Sequence, residues 1–593
     1  MIRLNVTRDE LSSIVDRWSV KKFGPEFKYR PGQKDMIVDI IMSWSNGTKT
    51  TILDAPTGSG KSYIAMSIAG VLSEHFHKKG YILISDLSLI DQYTKDIEMY
   101  FPKWGIIKGQ DNYNCLENGL GFKTGSCRLD GYHSYGEIKM YYTDCSKYCP
   151  YIVQRDKAIS SDVTLCTYSF WLIHRNMDAK NQRIPQDFEE RDFVICDEAH
   201  KATDIVQSHF SPVICESDET KFFQLTEALC EGDSVSTFND DFHCFRHTIE
   251  TADNISELDD AIRGYANLLA RLSTKTTSYV GGLRNLKSTK KKRSKKEYNI
   301  LNAMYWLNDI ACRFADYINL INNRGPNVIV KNTSESGRIT LNCLDESFLM
   351  SSRFIGRSGN LLFMSATIGD PAAFAHYTST ENDYVAYKLP NTFDYSNSPI
   401  FYVDEYKLTY NNKDYAFANI ADMAKSIVHM YPNDRGIIQT GNYAFALQFY
   451  ESLSDGDKKR CLVYSNSKEK QDVLDTYKYS DNCILIGPSL IEGLSLDDDL
   501  CRFQIILKIP YPSLADALVS AKMHADDQWY SNKTSISLLQ GVGRGVRNIN
   551  DWCVTFILDG CFSTLLRNSY SMYPEEFINR INLIRSQTLI GNR

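Results

Sequence analysis

The sequence predicts an α/β protein of two parallel-sheet lobes with helices on both faces. Three observations predict it. Short apolar, β-branched runs recur through most of the chain, helical stretches lie between many of them, and a glycine-rich loop follows one run and opens a helix. A strand buried on both faces reads as a continuous apolar run, and parallel neighbours need a crossover, usually a helix. The alternation therefore points to parallel sheets. A chain of 593 residues has room for several domains at roughly 100–200 residues each.

In chain order, a first set of runs is Thr51–Leu53, Tyr81–Ile84, Val163–Cys166, Phe193–Cys196 and Leu361–Met364. A second is Gly436–Gln439, Cys461–Tyr464, Asn482–Ile486, Phe503–Lys508 and Cys553–Leu558. Each is strand-length and ends near Gly, Pro, Asp, Ser or Thr, and Tyr63–His77 and Ser88–Tyr100 read as helices between them. Two regions interrupt the pattern. About 109–159 is rich in Cys, Gly and Tyr, and about 206–344 reads as mostly helical and polar. Within the second, Arg284–Lys296 holds eight Lys or Arg and no acid. A solvated loop is the plain reading of that run, and a track for a nucleic-acid backbone is the sharper one.

A net charge of −7 excludes a histone-like polycation but not nucleic-acid binding, which depends on a local basic track. The 36 tyrosines suit base stacking and ordinary cores equally. Met1–Trp18 carries Arg3, Arg8, Asp9, Glu10 and Asp16 and no apolar centre, so no secretory signal is expected there. No run of about 18 apolar residues appears, so no membrane span is expected. Sixteen cysteines without an export signal imply a reducing compartment, with the cytoplasm as the expected location.

Residues 55–62 read Ala55-Pro56-Thr57-Gly58-Ser59-Gly60-Lys61-Ser62, a P-loop pattern with Ala where the first Gly usually stands. Glycines let consecutive N–H groups face a phosphate, and the helix N-terminus adds positive potential. Lys61 is expected to reach the β- and γ-phosphates and Ser62 to ligate Mg²⁺. Phe193–Cys196 is followed by Asp197-Glu198-Ala199-His200. Carboxylates at the C-terminal end of a parallel strand face the nucleotide crevice. Asp197 is suited to hold Mg²⁺, and Glu198 to orient and deprotonate the attacking water.

Asp-Glu-Ala-His resembles motif II of the superfamily 2 DEAH-box helicases, and other motifs stand in family order around it. Ser365-Ala366-Thr367 resembles motif III. Glu492-Gly493-Leu494-Ser495 resembles motif V, and Gln540-Gly541-Val542-Gly543-Arg544-Gly545-Val546-Arg547 matches Q-x-x-G-R-x-x-R of motif VI. Tyr29-Arg30-Pro31-Gly32-Gln33 resembles the adenine-reading Q motif. Gln33 has one amide donor group and one acceptor, suited to the adenine edge. Gly493 joins the nucleotide set by resemblance. Arg544 and Arg547, three apart on an expected helix, share a face and act as arginine fingers. Gln540 is expected at the attacking water or the γ-phosphate, and Ser365 and Thr367 are expected to relay nucleotide state to DNA grip.

Cys115, Cys127, Cys145 and Cys149 stand between the loop and the acidic pair. Four thiolates can hold an iron–sulfur cluster or a zinc ion, and the spacing leaves the metal open. The flanks Lys108-Gly109-Gln110-Asp111-Asn112-Tyr113-Asn114-Cys115 and Cys149-Pro150-Tyr151 resemble the XPD/DinG group, which carries a [4Fe–4S] cluster there. Gln110 departs from the Arg that the group often has. Cys166, Cys196, Cys483 and Cys553, in apolar runs, read instead as core residues.

The resemblance implies two RecA-like lobes. The first is expected over 1–108, 161–205 and 346–378, with a cluster insert at 109–160 and a helical arch insert at 206–345. The second is expected over 379–593. It also implies a DNA helicase using ATP, Mg²⁺ and a 4Fe-4S wedge domain, moving 5′ to 3′ on single-stranded DNA. Tailed or forked duplexes are the expected substrates and a monomer the expected state. A translocase that remodels nucleoprotein, R-loops or RNA without unwinding is the other reading.

Overall fold

The structure is a computed structural model. It describes residues 2–56, 58–116, 119, 121–122, 148–176, 188–285, 295–334, 336–391, 395–466, 468–488, 498–543, 545–546 and 551–590. The middle of the basic run, 286–294, lies outside them.

The N-terminal half carries strands β1 (Thr50–Asp54), β2 (Gly80–Ile84), β3 (Gly105–Ile107), β4 (Val163–Thr167) and β5 (Phe193–Cys196). Then come β6 (Val213–Ile214), β7 (Ile329–Thr333), β8 (Ile339–Cys343), β9 (Asn360–Ser365) and β10 (Tyr384–Lys388). Seven of these form one parallel sheet in the order β10-β1-β9-β5-β2-β4-β3. Alternation along each strand splits its residues between two cores. Ile52, Leu83, Val194, Leu361 and Phe363 enter one core; Leu53, Ile82, Ile195, Leu362 and Met364 enter the other. Helices therefore cover both faces, and central strands such as β2 and β5 read as unbroken apolar runs.

The second sheet takes β11 (Ile400–Tyr402), β12 (Gly436–Gln439), β13 (Cys461–Val463), β14 (Ile484–Gly487), β15 (Phe503–Ile506), β16 (Val554–Ile557) and β17 (Ile581–Leu583). Its order is β13-β14-β12-β15-β16-β11-β17, again parallel throughout.

The region expected as an arch contains the helices Glu216–Leu229, Asp233–Thr251, Ile255–Asn285 and Lys295–Arg324. Phe222, Phe242, Tyr265 and Phe314 pack ring against ring with centroids 4.5–5.5 Å apart. These residues belong to the same continuous core as one face of the first sheet. A small antiparallel sheet, β6-β8-β7, joins the helices to the lobe, a feature not anticipated in a region read as helical.

The first lobe runs past the boundary expected at 378. β10 pairs in parallel with β1 from Thr50↔Tyr384 to Asp54↔Lys388, because β1 would otherwise be an open edge. Cys166, Cys196 and Cys553 are buried as expected, whereas Cys483 is only half-buried because it stands just before β14 begins.

Candidate functional site

The strand order decides where the predicted residues meet. β9 lies between β1 and β5, so the phosphate loop after β1, Ser365 at the end of β9 and the acidic pair after β5 emerge side by side. All three leave C-terminal strand ends. The chain passes from β1 to β2 across two intervening strands, which opens the crevice in which ligands of such sheets bind.

Gly58 and Gly60 adopt φ of +78° and +81°, a region closed to side chains without strain. A Cβ on Gly60 would stand 2.4 Å from Gln33 Nε2, so the loop also needs glycine for room. Helix Lys61–Glu74 starts directly after Gly60. Among the described residues, Lys61 Nζ makes a single long bond, 3.5 Å, to the Ala55 carbonyl. Ser59 Oγ is buried with no partner among the described residues. A loop with a weakly engaged ammonium, an orphaned hydroxyl and a helix N-terminus fits a bound polyphosphate. Thr57 lies outside the described residues.

Asp197 is 4% exposed. Its Oδ1 accepts the Glu198 N–H at 2.9 Å and its Oδ2 accepts the Tyr93 hydroxyl at 2.8 Å. Burial and the neighbouring Glu198 charge push this carboxyl upward, and Lys61 opposes the shift. A cation beside it would relieve the same penalty. Glu198 has φ +49°, an uncommon backbone state for a non-glycine residue. His200 Nδ1 lies 2.8 Å from Ser365 Oγ and 3.3 Å from Glu198 Oε2. Burial pushes His200 down to about 4, so it is a neutral imidazole.

The second lobe reaches this cluster through helix Asp527–Val542. Gln540 Nε2 donates to Thr367 Oγ1 at 3.1 Å, and the Thr367 N–H donates to Ser365 Oγ at 3.1 Å. A continuous set of contacts thus runs from Glu198 through His200, Ser365 and Thr367 to Gln540. The helix closes at Val542 with Gly543 as its cap, and Gly545 packs where a Cβ would meet Cys553 Sγ at 2.3 Å. The helical face expected for Arg544 and Arg547 falls outside the described residues, and so does Gly493.

Gln33 is 3% exposed. Its Oε1 accepts the Arg30 N–H at 2.8 Å and its Nε2 donates to the Ser59 carbonyl at 2.8 Å. The amide thus braces the phosphate loop. Arg30 donates to the Gly58 carbonyl. Arg30, Tyr93 and His200 carried no assigned role in the sequence. Arg30 and His200 stand inside quoted motifs, a signal that could have found them, whereas Tyr93 has none, since only the fold brings it to Asp197.

Of the four insert cysteines, Cys127 and Cys145 lie outside the described residues. Cys115 is half-buried, and Cys149 is buried at the N-cap of helix Pro150–Ser160. Among the described residues no three His, Cys, Asp or Glu cluster as a metal site. Gln110 Nε2 donates to the Tyr151 hydroxyl at 3.3 Å. No helix among the described residues is long and apolar enough to cross a membrane.

Comparisons with known proteins bear on the fold and the family likeness. The family described as type III restriction enzyme, res subunit, matches residues 26–227, and the helicase C-terminal domain family matches 426–578. The ATP-dependent DNA helicase CHL1 of Candida albicans is 25% identical over 114 residues, 16% of this chain and 14% of that protein. The ATP-dependent DNA helicase XPD of Sulfolobus acidocaldarius is 32% identical over 114 residues, 16% of this chain and 21% of that protein. The aligned stretches thus span well under two thirds of either relative. The solved structure of S. tokodaii Xpd4 superposes with a TM-score of 0.58 at 12% identity, over 94% of this chain and 100% of that one. An XPD helicase structure gives 0.62 at 16% identity, again over 94% and 100%. These structures share the fold of two parallel-sheet, RecA-like lobes. With that fold, both family matches and the ordered motifs in hand, the chain is similar to the helicases of the XPD and CHL1 type.

Proposed function

We propose that this chain is an ATP-driven DNA helicase that moves 5′ to 3′ along single-stranded DNA and opens tailed or forked duplexes. The observation that carries the reading is the reach of Gln540 from the second lobe to Thr367, beside the strand ends that bear the phosphate loop and the acidic pair. ATP is the substrate. Loop N–H groups and Lys61 receive its phosphates, and Glu198 orients and deprotonates the attacking water. Arg544 and Arg547 meet the γ-phosphate from the second lobe, so hydrolysis changes how firmly the lobes hold together. The hydroxyl of Ser62 and the carboxylate of Asp197 are hard oxygen donors, which suit Mg²⁺; when bound, the ion neutralises charge on the β- and γ-phosphates.

DNA binding rests on phosphate charge and base stacking rather than sequence readout. Cys115, Cys127, Cys145 and Cys149 would hold a 4Fe-4S cluster that braces the insert as a wedge between the parting strands. The protein acts as a monomer. The test is anaerobic purification with an iron assay, followed by ATPase and unwinding assays on 5′- and 3′-tailed duplexes. Wild type should contain iron, hydrolyse ATP faster with single-stranded DNA, and open the 5′-tailed substrate. Lys61→Ala should lose both activities by about 100-fold or more, as when a preorganised charge-stabilising donor is removed. A Lys61→Ala variant that unwinds normally refutes the motor reading, and stoichiometric zinc without iron refutes the cluster.

A further inference from the structure

We propose that Tyr93 is a positioning residue for the divalent cation that accompanies the nucleotide, holding the Asp197 carboxylate in the orientation the cation needs. The inference rests on the nucleotide-site reading above and deepens it. Tyr93 lies on helix Leu87–Tyr100, which follows β2 and stands outside every motif quoted above. Its hydroxyl donates to Asp197 Oδ2 at 2.8 Å, while the Glu198 N–H holds Oδ1 at 2.9 Å. With both oxygens held, the plane of the carboxylate and the direction of its remaining lone pairs are set.

The Ser62 hydroxyl neighbours the same phenol oxygen. Tyr93 is 2% exposed, and its ring packs in the core of the first lobe. Partners that hydrogen-bond a metal-ligating carboxylate fix its orientation, and their loss weakens metal binding by about 10–100-fold. A tyrosine present only for packing would change stability and leave the metal response alone.

Tyr93→Phe keeps the ring and removes only the hydroxyl. Tyr93→Met keeps apolar volume without the ring and serves as a second hydroxyl-free variant. Binding of a fluorescent ATP analogue to the full chain is titrated with Mg²⁺ and repeated in EDTA. Both variants should bind the analogue like wild type in EDTA and need about tenfold more Mg²⁺ for half-saturation. Asp197→Asn should flatten the Mg²⁺ response, and adding Tyr93→Phe to it should change nothing further. An unchanged Mg²⁺ curve in Tyr93→Phe, or equal weakening with and without Mg²⁺, overturns the proposal while leaving the nucleotide site intact. A wild type that binds no analogue overturns the nucleotide-site reading itself.

Discussion

Glu198 occupies the left-handed region at φ +49° directly after the buried Asp197. Such backbone states cost about 1–3 kcal/mol and persist where the surroundings hold them. Here the Asp197 carboxylate accepts the Glu198 N–H, and His200 stands between Glu198 and Ser365. The two carboxylates were legible because a strand of four apolar residues ends on them. Their partners were not, since Ser365 lies 165 residues from His200 and only strand order makes them neighbours. The same holds for Gln540 and Thr367, whose hydrogen bond spans the lobes. Thr367→Val keeps the shape and removes the acceptor. At about 1 kcal/mol for one such bond, unwinding per ATP hydrolysed should fall roughly fivefold, measured as the ratio of strand displacement to phosphate release. An unchanged ratio would mean that the contact carries no coupling.

At the scale of elements, the long apolar runs appeared as strands, and the strands left out were mostly the short or edge ones. β3 and β17 have three residues each and end the two sheets, so one apolar face suffices and no continuous run is needed. β3 nonetheless fixes how the cysteine insert returns to the lobe. A Cβ on Gly105 would lie 2.4 Å from the Ala158 Cα, so strand and helix Pro150–Ser160 touch backbone to backbone. Arg191, 7% exposed, bonds the Ala158 and Gly80 carbonyls at 2.9 Å each and so ties that helix to β2. Gly105→Ala should destabilise the first lobe by about 1–3 kcal/mol, the usual range for overpacking, read from urea unfolding. Wild-type stability in that variant would show that the helix can back away freely.

Across the whole molecule, the second lobe meets the first through several contacts besides the one from Gln540 to Thr367. Lys522 forms a buried ion pair with Glu346, which also accepts the Trp529 indole N–H at 3.1 Å. The Lys522 ammonium stands 4.9 Å over the Trp529 ring. Lys533 pairs with Asp204, just after the acidic motif, and Asn332 of β7 bonds Asp516 at 2.9 Å. Breaking a buried pair by removing one partner strands the other charge and costs about 3–5 kcal/mol, whereas replacing both with apolar groups is often neutral. Glu346→Ala should therefore lower the melting temperature clearly, and Glu346→Leu with Lys522→Met should recover most of it. Equal melting temperatures for the single and double variants would contradict the pairing.

The local chemistry of this protein was determined by its sequence: a glycine loop after a strand, an acidic pair ending another, motifs in a fixed order. Each depends on neighbours within a few residues, where φ, charge and hydrophobic period already decide the outcome. Only the tertiary structure decided that β9 lies between β1 and β5, that β10 closes the first sheet, that Tyr93 reaches Asp197 and that Glu346 meets Lys522. Those are contacts between residues far apart in the chain, and they form because separate apolar faces are buried together, a condition that no short stretch of sequence contains.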